Sequence, residues 1–381
     1  MVAYGSHIEG AADVWVVGVS PPPITGMTML TERVVRELEQ VGPITFCNWS
    51  AGTSRHGFGP WARRVTRMLL AVNRLVVHGR KSNSRLYITA NSKGAIALTA
   101  LLVYIGCSLG YRVYLHHHTY TYIDCRSRWM AWIDRRMKRQ GVHIVHCHKM
   151  ANDFRRQYES QCQFATIHPS IVTFDVQRPR AAMHQPFRLG HLSNLSVAKG
   201  LDLVIRTFEA LHSAGVEVQL RLAGPCLTRE AEQRVSRVLV KYPDLVRHFG
   251  PIYNDDKRQY FADIDAFLFP TESESWGIVI NEAIAAGVPV ITFDRGCTQT
   301  VVGNEAGIAI DPRADFVAAA TEQVRRWIDD PAEYVMMSQA AIEQARRLHR
   351  KGRVQLDQFV EHIFTPREIT CSSDNIDEAT C

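Results

Sequence analysis

Two glutamates, Glu274 and Glu282, stand eight residues apart in the segment PTESESWGIVINEAIAAGVPVI. An apolar strand-like run precedes this segment and helical character begins near Ile278, so Glu274 lies in a loop and Glu282 inside the helix. Gly277 allows a ligand to approach the backbone closely. The amides of Gly277, Ile278 and Val279 can hold a phosphate, because the first amides of a helix have no partner within it.

The two carboxylates predict what surrounds that phosphate. They repel it, so they should point to either side of it. An ionised carboxylate accepts hydrogen bonds on both oxygens and therefore binds paired hydroxyls well. A phosphate flanked by hydroxyl-rich rings describes a nucleotide diphosphate sugar, with one acid on the ribose and the other on the transferred sugar. The alternative is a loop glutamate beside a helix-capping glutamate, with no ligand.

Two series of alternating strand-like and helix-like segments must position these residues. The first runs from a strand at residues 14–19 to residue 168, and the second from residue 187 to residue 310, followed by three helical stretches. Such alternation predicts parallel sheets with helices on both faces. We therefore predict an α/β protein of two facing, doubly wound Rossmann-like domains, whose ligands bind in a cleft at the carboxyl ends of the strands.

The length of 381 residues also favours two domains. Residues 173–187 lose periodicity and contain two prolines, which is typical of a linker. The predicted domains are residues 1–183 and 184–350. A helix at residues 351–365 is expected to pack back on the first domain, and the polar residues 366–381 are expected to form a disordered tail.

The glutamate segment resembles the signature of the family 4 retaining glycosyltransferases, which have the GT-B fold. The shared features are an acid, a small–aromatic–glycine step, a second acid eight residues after the first, an alanine and a Gly-x-Pro-Val ending: Glu274, residues 275–277, Glu282, Ala283 and residues 287–290. The resemblance implies that Glu274 contacts the donor sugar and that Glu282 contacts the ribose hydroxyls. It also implies that amides near Gly277 hold the distal phosphate, with Trp276 beside them.

The resemblance extends to residues 193–200, SNLSVAKG, and to the ends of the next two strands. It implies that Lys199 neutralises the diphosphate as a point charge. Asn194 stands where the family commonly has arginine, which removes one charge-assisted contact. Gly224 and Pro225 belong to a Leu-Ala-Gly-Pro run that the resemblance places near the base.

Three adjacent histidines, His116, His117 and His118, fall at the carboxyl end of a predicted strand. Neighbours on a strand point to opposite faces, so all three cannot easily bind one metal ion. In the resembled family a histidine at this strand end lines the reaction centre. This implies His118, with His117 as the alternative, acting through a hydrogen bond or a backbone carbonyl near the anomeric carbon. Gly26, after the first strand, is a candidate for close approach of a phosphate or acceptor.

No metal site is predicted from the remaining motifs. Asp263 and Asp265 form a D-x-D, but they precede the strand that delivers Glu274. His146 and His148 flank a cysteine and lack two further ligands at a spacing suitable for zinc.

The resemblance implies a metal-independent hexosyltransferase that uses no cofactor and takes a UDP- or GDP-sugar as co-substrate. The N-terminal half would hold a glycan or lipid-linked acceptor, as in the synthesis of surface polysaccharide or lipid-linked glycan. Two alternatives stay open: a sugar-nucleotide epimerase or phosphorylase of the same fold, and a non-catalytic, membrane-associated relative. The first strand is not followed by G-x-G-x-x-G, which argues against a dinucleotide oxidoreductase.

Charge is divided unevenly along the chain. Residues 1–186 contain 23 Lys+Arg and 10 Asp+Glu, a net charge of +13, whereas the other residues contain 21 and 28, a net charge of −7. A strongly basic half predicts an anionic partner. No nucleic-acid recognition motif is present, which favours a membrane surface over nucleic acid.

Two predicted helices in the basic half are amphipathic. The helix at residues 61–77 is expected to place Arg63, Arg67 and Arg74 opposite an apolar face made of Val65, Met68, Leu69, Val72 and Val76. The helix at residues 126–139 combines Trp129 and Trp132 with several arginines. This composition is typical of binding to an anionic membrane interface. With no signal-peptide pattern at the start and nine scattered cysteines, it predicts a cytoplasmic protein that associates peripherally with the inner face of the membrane.

Overall fold

The computed structural model describes residues 13–50, 58–78, 84–172 and 176–365, without the side chains of residues 58–65, Lys93 and Arg139. The predicted tail at residues 366–381 lies outside this part of the chain. The chain divides into two compact units, one made of Met1–Val172 with Lys351–Cys381 and the other of Thr173–Arg350. The division falls eleven residues earlier than the predicted boundary, at the start of the predicted linker.

The first unit is built on a parallel six-stranded sheet with the strand order β2-β1-β3-β4-β5-β6. Its strands and helices are β1 (Val14–Gly18), α1 (Gly26–Val41), β2 (Ile44–Asn48), α2 (Phe58–His78), β3 (Arg85–Thr89), α3 (Ile96–Ser108), β4 (Arg112–His116), α4 (Thr121–Asp124), α5 (Arg128–Met137), β5 (Val142–Val145), α6 (His148–Tyr158) and β6 (Gln163–Thr166).

The second unit repeats this plan with the strand order β12-β11-β10-β7-β8-β9, again parallel throughout. Its elements are β7 (Phe187–Leu192), α7 (Leu201–Ser213), β8 (Val218–Ala223), α8 (Arg229–Lys241), β9 (Val246–His248), α9 (Asp255–Ala262), β10 (Ala266–Phe269), α10 (Ile278–Ala285), β11 (Val290–Phe293), α11 (Thr298–Val302), β12 (Gly307–Ile310) and α12 (Phe316–Asp329). Two Rossmann-like sheets confirm the predicted α/β class.

A single long helix, α13 (Pro331–Phe364), follows α12, where the sequence suggested two separate stretches. Residues 332–364 contain no proline and a single glycine, Gly352, so the sequence gives no reason for the helix to end earlier. The side chains of Leu356, Phe359, Ile363 and Phe364 are buried in the first unit's core beside β1 and α1. This burial explains why the last part of the chain belongs to the first unit.

The order of strands in the second sheet creates a topological switch point. Chain order reverses between β7 and β10, which are hydrogen-bonded neighbours. The loops after these two strands, residues 193–200 and 270–277, therefore leave the sheet side by side and in opposite senses. In open parallel sheets the crevice between two such loops is where ligands bind.

The inward face of α2 differs from the prediction. Met68, Ala71 and Leu75 are buried, whereas Leu69 and Val76 are exposed. The prediction assigned the larger apolar residues to the buried face and left out Ala71. A small residue also suits that face, because it lets a helix approach its neighbours closely. The outcome is a helix whose outer surface is more apolar than expected.

Candidate functional site

The loop after β7 and the loop after β10 are joined at the switch point. The amide of Glu272 donates to the carbonyl of Ala198 over 3.1 Å. The ammonium of Lys199 lies 3.0 Å from a carboxylate oxygen of Glu274, and both side chains are partly exposed. The second oxygen of Glu274 accepts from the amide of Ser275 (3.0 Å). The two residues predicted to meet a diphosphate and a sugar are therefore in direct contact.

Helix α10 begins beside this ion pair. Gly277 caps it with a φ of +82°, a left-handed conformation that glycine adopts without strain. The amides of Ile280 and Asn281 donate to the carbonyl of Gly277. For the amides of Gly277, Ile278 and Val279, the described residues supply no acceptor. Three donors at the positive end of a helix therefore have no protein acceptor in the described part of the chain, as an anion site requires.

Glu282 lies one turn inside α10 and is held by Lys257 of α9. The Lys257 ammonium lies 2.6 Å and 2.5 Å from the two carboxylate oxygens. Burial raises the pKa of Glu282, and the nearby ammonium partly offsets that rise. Each carboxylate oxygen keeps lone pairs for a further hydrogen bond. Sequence reasoning missed Lys257, because no motif links it to a glutamate 25 residues later in another helix.

The loop after β8 contacts the loop after β7, where the amide of Leu195 donates to the carbonyl of Pro225 over 2.9 Å. Gly224 has a φ of +108°, and a Cβ atom built on it would lie 1.8 Å from the carbonyl oxygen of Ser193. Its own carbonyl accepts from the Nε2 of His248 over 2.9 Å. Pro225 is half-buried next to it, and Asn194 is exposed. The segment that contains Asn194 and the segment that contains Gly224, both predicted to bind the donor, are therefore in contact through their backbones.

A buried histidine, His191 of β7, was not predicted. Its Nδ1 donates to the carbonyl of Leu268 on the adjacent β10 (2.8 Å), so Nε2 is left to accept from the hydroxyl of Ser193 (2.9 Å). Burial lowers the pKa of His191 to about 4, so the imidazole is neutral near pH 7. It connects both strands of the switch point to the loop that carries Asn194 and Lys199.

Trp276 was predicted among the donor-binding residues. Its side chain is 1% exposed, in the interior of the unit. The indole therefore anchors the loop that carries Glu274 rather than presenting a surface to a ligand.

Residues 175–344, which contain this site, match the family model of the glycosyl transferases group 1. We call this part of the chain the group 1 domain, after the family that it resembles. The match is to the whole group, so assignment to family 4 stays a prediction.

Curated relatives of the chain are glycosyltransferases. CapM of Staphylococcus aureus, which acts in capsular polysaccharide biosynthesis, is 30% identical over 152 residues, or 39% of this chain and 38% of CapM. The D-inositol 3-phosphate glycosyltransferase of Streptomyces avermitilis is 27% identical over 230 residues, or 53% of this chain and 47% of that enzyme. The chain thus spans less than half the length of these relatives.

Solved structures match over most of the chain. Sucrose-phosphate synthase from Thermosynechococcus elongatus superimposes with a TM-score of 0.66 at 15% identity, covering 92% of this chain and 99% of that one. Anabaena HepE in complex with UDP-glucose gives a TM-score of 0.63 at 15% identity, covering 92% and 98%. The fold is therefore GT-B, with a Rossmann-like domain in addition to the group 1 domain.

The first unit holds the other predicted site residues. Gly26 is the first residue of α1, and the cap of that helix is reciprocal: Thr25 accepts from the amide of Thr28 and donates its own amide to the Thr28 hydroxyl. One of the first amides of α1 is thus already satisfied. This leaves α1 fewer donors for an anion than the group 1 domain has at α10.

His117 belongs to a buried chain of hydrogen bonds. Its Nε2 lies 2.7 Å from the Nδ1 of His143, and its Nδ1 lies 2.8 Å from the hydroxyl of Tyr122. The Nε2 of His143 lies 3.0 Å from Asp134. Burial raises the pKa of Asp134, but hydrogen bonds from His143 and Ser160 outweigh it and the net pKa is lowered. An ionised Asp134 can only accept hydrogen bonds, so every donor in this series of hydrogen bonds is oriented toward Asp134.

This chain of hydrogen bonds separates His117 from His118. Both ring nitrogens of His117 are occupied inside the unit, which leaves its ring no polar atom for a ligand. His118 points to the other side of the strand end, toward His116 and His146. Of the two histidines proposed for the reaction centre, the geometry favours His118.

The D-x-D residues are used inside the fold of the group 1 domain. Asp263 pairs with Arg188 and, over 3.1 Å, with Arg221. Asp265 is buried and accepts from the backbone amides of His184 (3.0 Å) and Arg188 (2.7 Å). Their carboxylates hold β7, β8 and β10 together at the end of the sheet opposite the candidate site.

Proposed function

We propose that this protein transfers a sugar from a nucleotide diphosphate sugar to a glycan or lipid-linked acceptor, as in surface polysaccharide synthesis. The observation that carries the proposal is the group of charges at the switch point: Lys199 beside Glu274, the first amides of α10, and the Lys257–Glu282 pair. Cationic and anionic groups alternate there at hydrogen-bond distances. A ligand that is anionic in the middle and hydroxylated at both ends fits this pattern.

Binding of the donor would rearrange the Lys199–Glu274 pair. The diphosphate is a stronger partner for an ammonium than one partly exposed carboxylate, so Lys199 would turn to it. Glu274 would then accept from hydroxyls of the transferred sugar, and Glu282 from those of the ribose. During transfer the bond from the anomeric carbon to the phosphate oxygen breaks, a bond from that carbon to an acceptor hydroxyl oxygen forms, and the hydroxyl proton passes to the leaving diphosphate. Lys199 with the α10 amides stabilises the charge that develops on that diphosphate. The reaction proposed here needs neither metal nor cofactor.

Thermal melting in the presence of UDP- and GDP-sugars tests donor binding. A donor at 100 times its Kd stabilises the folded protein by about 2.7 kcal/mol. For a unit of this size the shift in Tm is roughly 5–10 °C. Glu282→Gln keeps the shape of the side chain but loses its charge, and we expect the shift to disappear.

The matched control is Glu209→Gln, because Glu209 pairs with Lys241 on the surface of the same unit. This variant should keep the full shift. If no sugar nucleotide raises the Tm of the unaltered protein, a non-catalytic, membrane-associated role is favoured. Product analysis distinguishes a transferase from an epimerase, since a transferase yields free nucleoside diphosphate together with a glycosylated acceptor, whereas an epimerase yields a new sugar nucleotide.

We also propose that the first unit binds an anionic membrane surface. Helices α2, α3 and α5 connect successive strands in one direction along the sheet, so they lie on the same face. Seven large apolar side chains on these helices are between 42% and 65% exposed: Leu69, Leu70, Val76, Val77, Leu101, Tyr104 and Trp129. No acidic residue occurs between Glu39 and Asp124, and the guanidinium of Arg136 lies 5.6 Å from the ring centroid of Tyr104 on this surface. In the described residues, no helix is both long and apolar enough to cross a bilayer.

Sedimentation with lipid vesicles tests this surface. We expect the protein to sediment with vesicles containing phosphatidylglycerol and to stay in solution with vesicles of phosphatidylcholine alone. The double change Leu70→Glu and Val77→Glu should abolish sedimentation. Val240→Glu, on an exposed apolar residue of the second unit, is the control and should have no effect. Equal sedimentation of both variants would contradict the proposal.

A further inference from the structure

Three histidines meet at the carboxyl ends of β4 and β5. His116 is the last residue of β4 and pairs in register with Ile144 of β5. His118 and His146 each lie two residues further along their own segments, so the alternation of side chains carries all three to one face. Each can offer a ring nitrogen within 4.8 Å of the nitrogens offered by the other two. The ring centroids are 4.2 Å (His116–His118), 5.8 Å (His116–His146) and 5.5 Å (His118–His146) apart.

The sequence analysis did not consider this combination of residues as a metal site. Too few ligands were expected near His146, because only positions close to it along the chain were considered. The two further nitrogens come from a neighbouring strand, 28 and 30 residues earlier. His117, which cannot join His116 and His118 on one ion, points away into its own hydrogen-bonded chain.

The chemistry of the cluster suits a cation that prefers imidazole. Neutral imidazole is the commonest metal ligand among protein side chains, and the rings of His116 and His146 are buried while that of His118 is partly buried. The Nδ1 of His116 is hydrogen-bonded to the hydroxyl of Tyr87 (2.5 Å). Its Nε2 is buried, and the described part of the chain gives it no hydrogen-bond partner. A hydrogen bond to one ring nitrogen commonly orients a metal-bound histidine so that its other nitrogen faces the ion.

A second cluster of possible ligands in the same unit provides the contrast. Asp134, His143 and Cys162 are also close enough to hold an ion. Their atoms, however, are already bonded to protein: His143 to Asp134 (3.0 Å), Asp134 also to Ser160, and the thiol of Cys162 to the carbonyl of Lys138 (2.7 Å). Hydrogen bonds within the protein explain why the side chains of that cluster lie together. They do not explain the buried Nε2 of His116.

We propose that His116, His118 and His146 bind one divalent transition-metal ion of the class that prefers imidazole nitrogen, such as Zn²⁺, Co²⁺ or Ni²⁺. Three protein ligands leave the fourth position of a tetrahedral ion to water or another small ligand. The ion links the ends of β4 and β5 and stabilises the first unit. It takes no part in the proposed sugar transfer, and the backbone carbonyl of His118 stays available for that reaction.

Titration of the untagged, chelator-treated full chain with Co²⁺ tests the site. We expect visible absorption bands of a low-coordinate Co²⁺ ion that saturate at one ion per chain and disappear when Zn²⁺ is added. Zn²⁺ should also raise the Tm. His146→Gln should abolish the bands, and Tyr87→Phe should weaken binding by about 10- to 100-fold. The control His212→Gln changes an exposed histidine of the second unit and should leave the titration unchanged.

The proposal is overturned if one-to-one binding does not occur, or if it persists in both His146→Gln and His118→Gln. His118 is less buried than the other two ligands, so its variant gives the answer if His146→Gln does not fold. The readouts are metal binding and stability, so they are independent of donor binding in the second unit.

Discussion

Replacing Lys199 by alanine is expected to lower the rate of sugar transfer roughly 100- to 1,000-fold, the usual effect of removing one group that stabilises charge in the transition state. The ammonium lies at the switch point, 3.0 Å from Glu274 and close to the start of α10. Its loss leaves the leaving diphosphate with the helix amides alone and leaves Glu274 without its cation. The measurement is kcat at saturating donor, with the acceptor concentration held fixed.

Lys241→Ala is the matched control for this prediction. Lys241 pairs with Glu209 over 2.7 Å, so it is also a lysine paired with a glutamate in the second unit, but it is exposed on α8. Its replacement should change kcat less than about twofold, because exposed ion pairs contribute about 1 kcal/mol or less and this one is far from the donor site. Lys199→Arg keeps the charge and should recover part of the rate. Similar rates for Lys199→Ala and Lys241→Ala would remove Lys199 from the proposed mechanism.

Replacing Gly224 by alanine is expected to destabilise the second unit by about 2–5 kcal/mol. A left-handed backbone costs a non-glycine residue about 1–2 kcal/mol, and forced overpacking adds about 1–3 kcal/mol. The overpacking arises because the new Cβ atom would lie 1.8 Å from the carbonyl oxygen of Ser193, which must move. Denaturant unfolding gives the change in free energy, and melting with a sugar nucleotide shows whether donor binding is lost as well.

Gly215→Ala separates the two causes. Gly215 has a φ of +79°, and nothing lies within 4 Å of a Cβ atom placed on it. Alanine at this position should lower the free energy of unfolding only by the cost of a left-handed backbone conformation, about 1–2 kcal/mol. Gly215 follows α7 in the same unit, so both variants report on the same unfolding transition. An equal loss of stability in the two variants would mean that the loop after β7 moves easily to make room for the new Cβ atom, and that close contact with Gly224 does not stabilise it.

The loop residues of the donor site could be predicted because their arrangement is local. Glu274, Gly277 and Glu282 are fixed relative to each other by one strand end and one helix start. The same holds for Asn194 and Lys199 after β7. Local periodicity and the position of glycine are sufficient to place such residues, and parallel sheets bring all strand carboxyl ends to one edge.

Contacts between distant segments could not be predicted in this way. Lys257 reaches Glu282 from another helix, and His191 joins β7 to β10 through the carbonyl of Leu268. Neither pair has a characteristic spacing, because the distance between the partners is set by strand order and helix packing. The prediction of the buried face of α2 was wrong for a related reason. The helix has apolar residues on more than one side, and packing against neighbouring elements decides which side is buried.

The amino-acid sequence by itself determined two α/β series, the loops at their strand ends and the charges that these loops carry. These features depend on interactions within a few residues, which repeat with the period of a strand or a helix. Only the tertiary structure decided which distant side chains meet: Lys257 with Glu282, His117 with His143, and His146 with His116 and His118. Such meetings depend on the order of strands in each sheet, and many strand orders are compatible with the same local pattern.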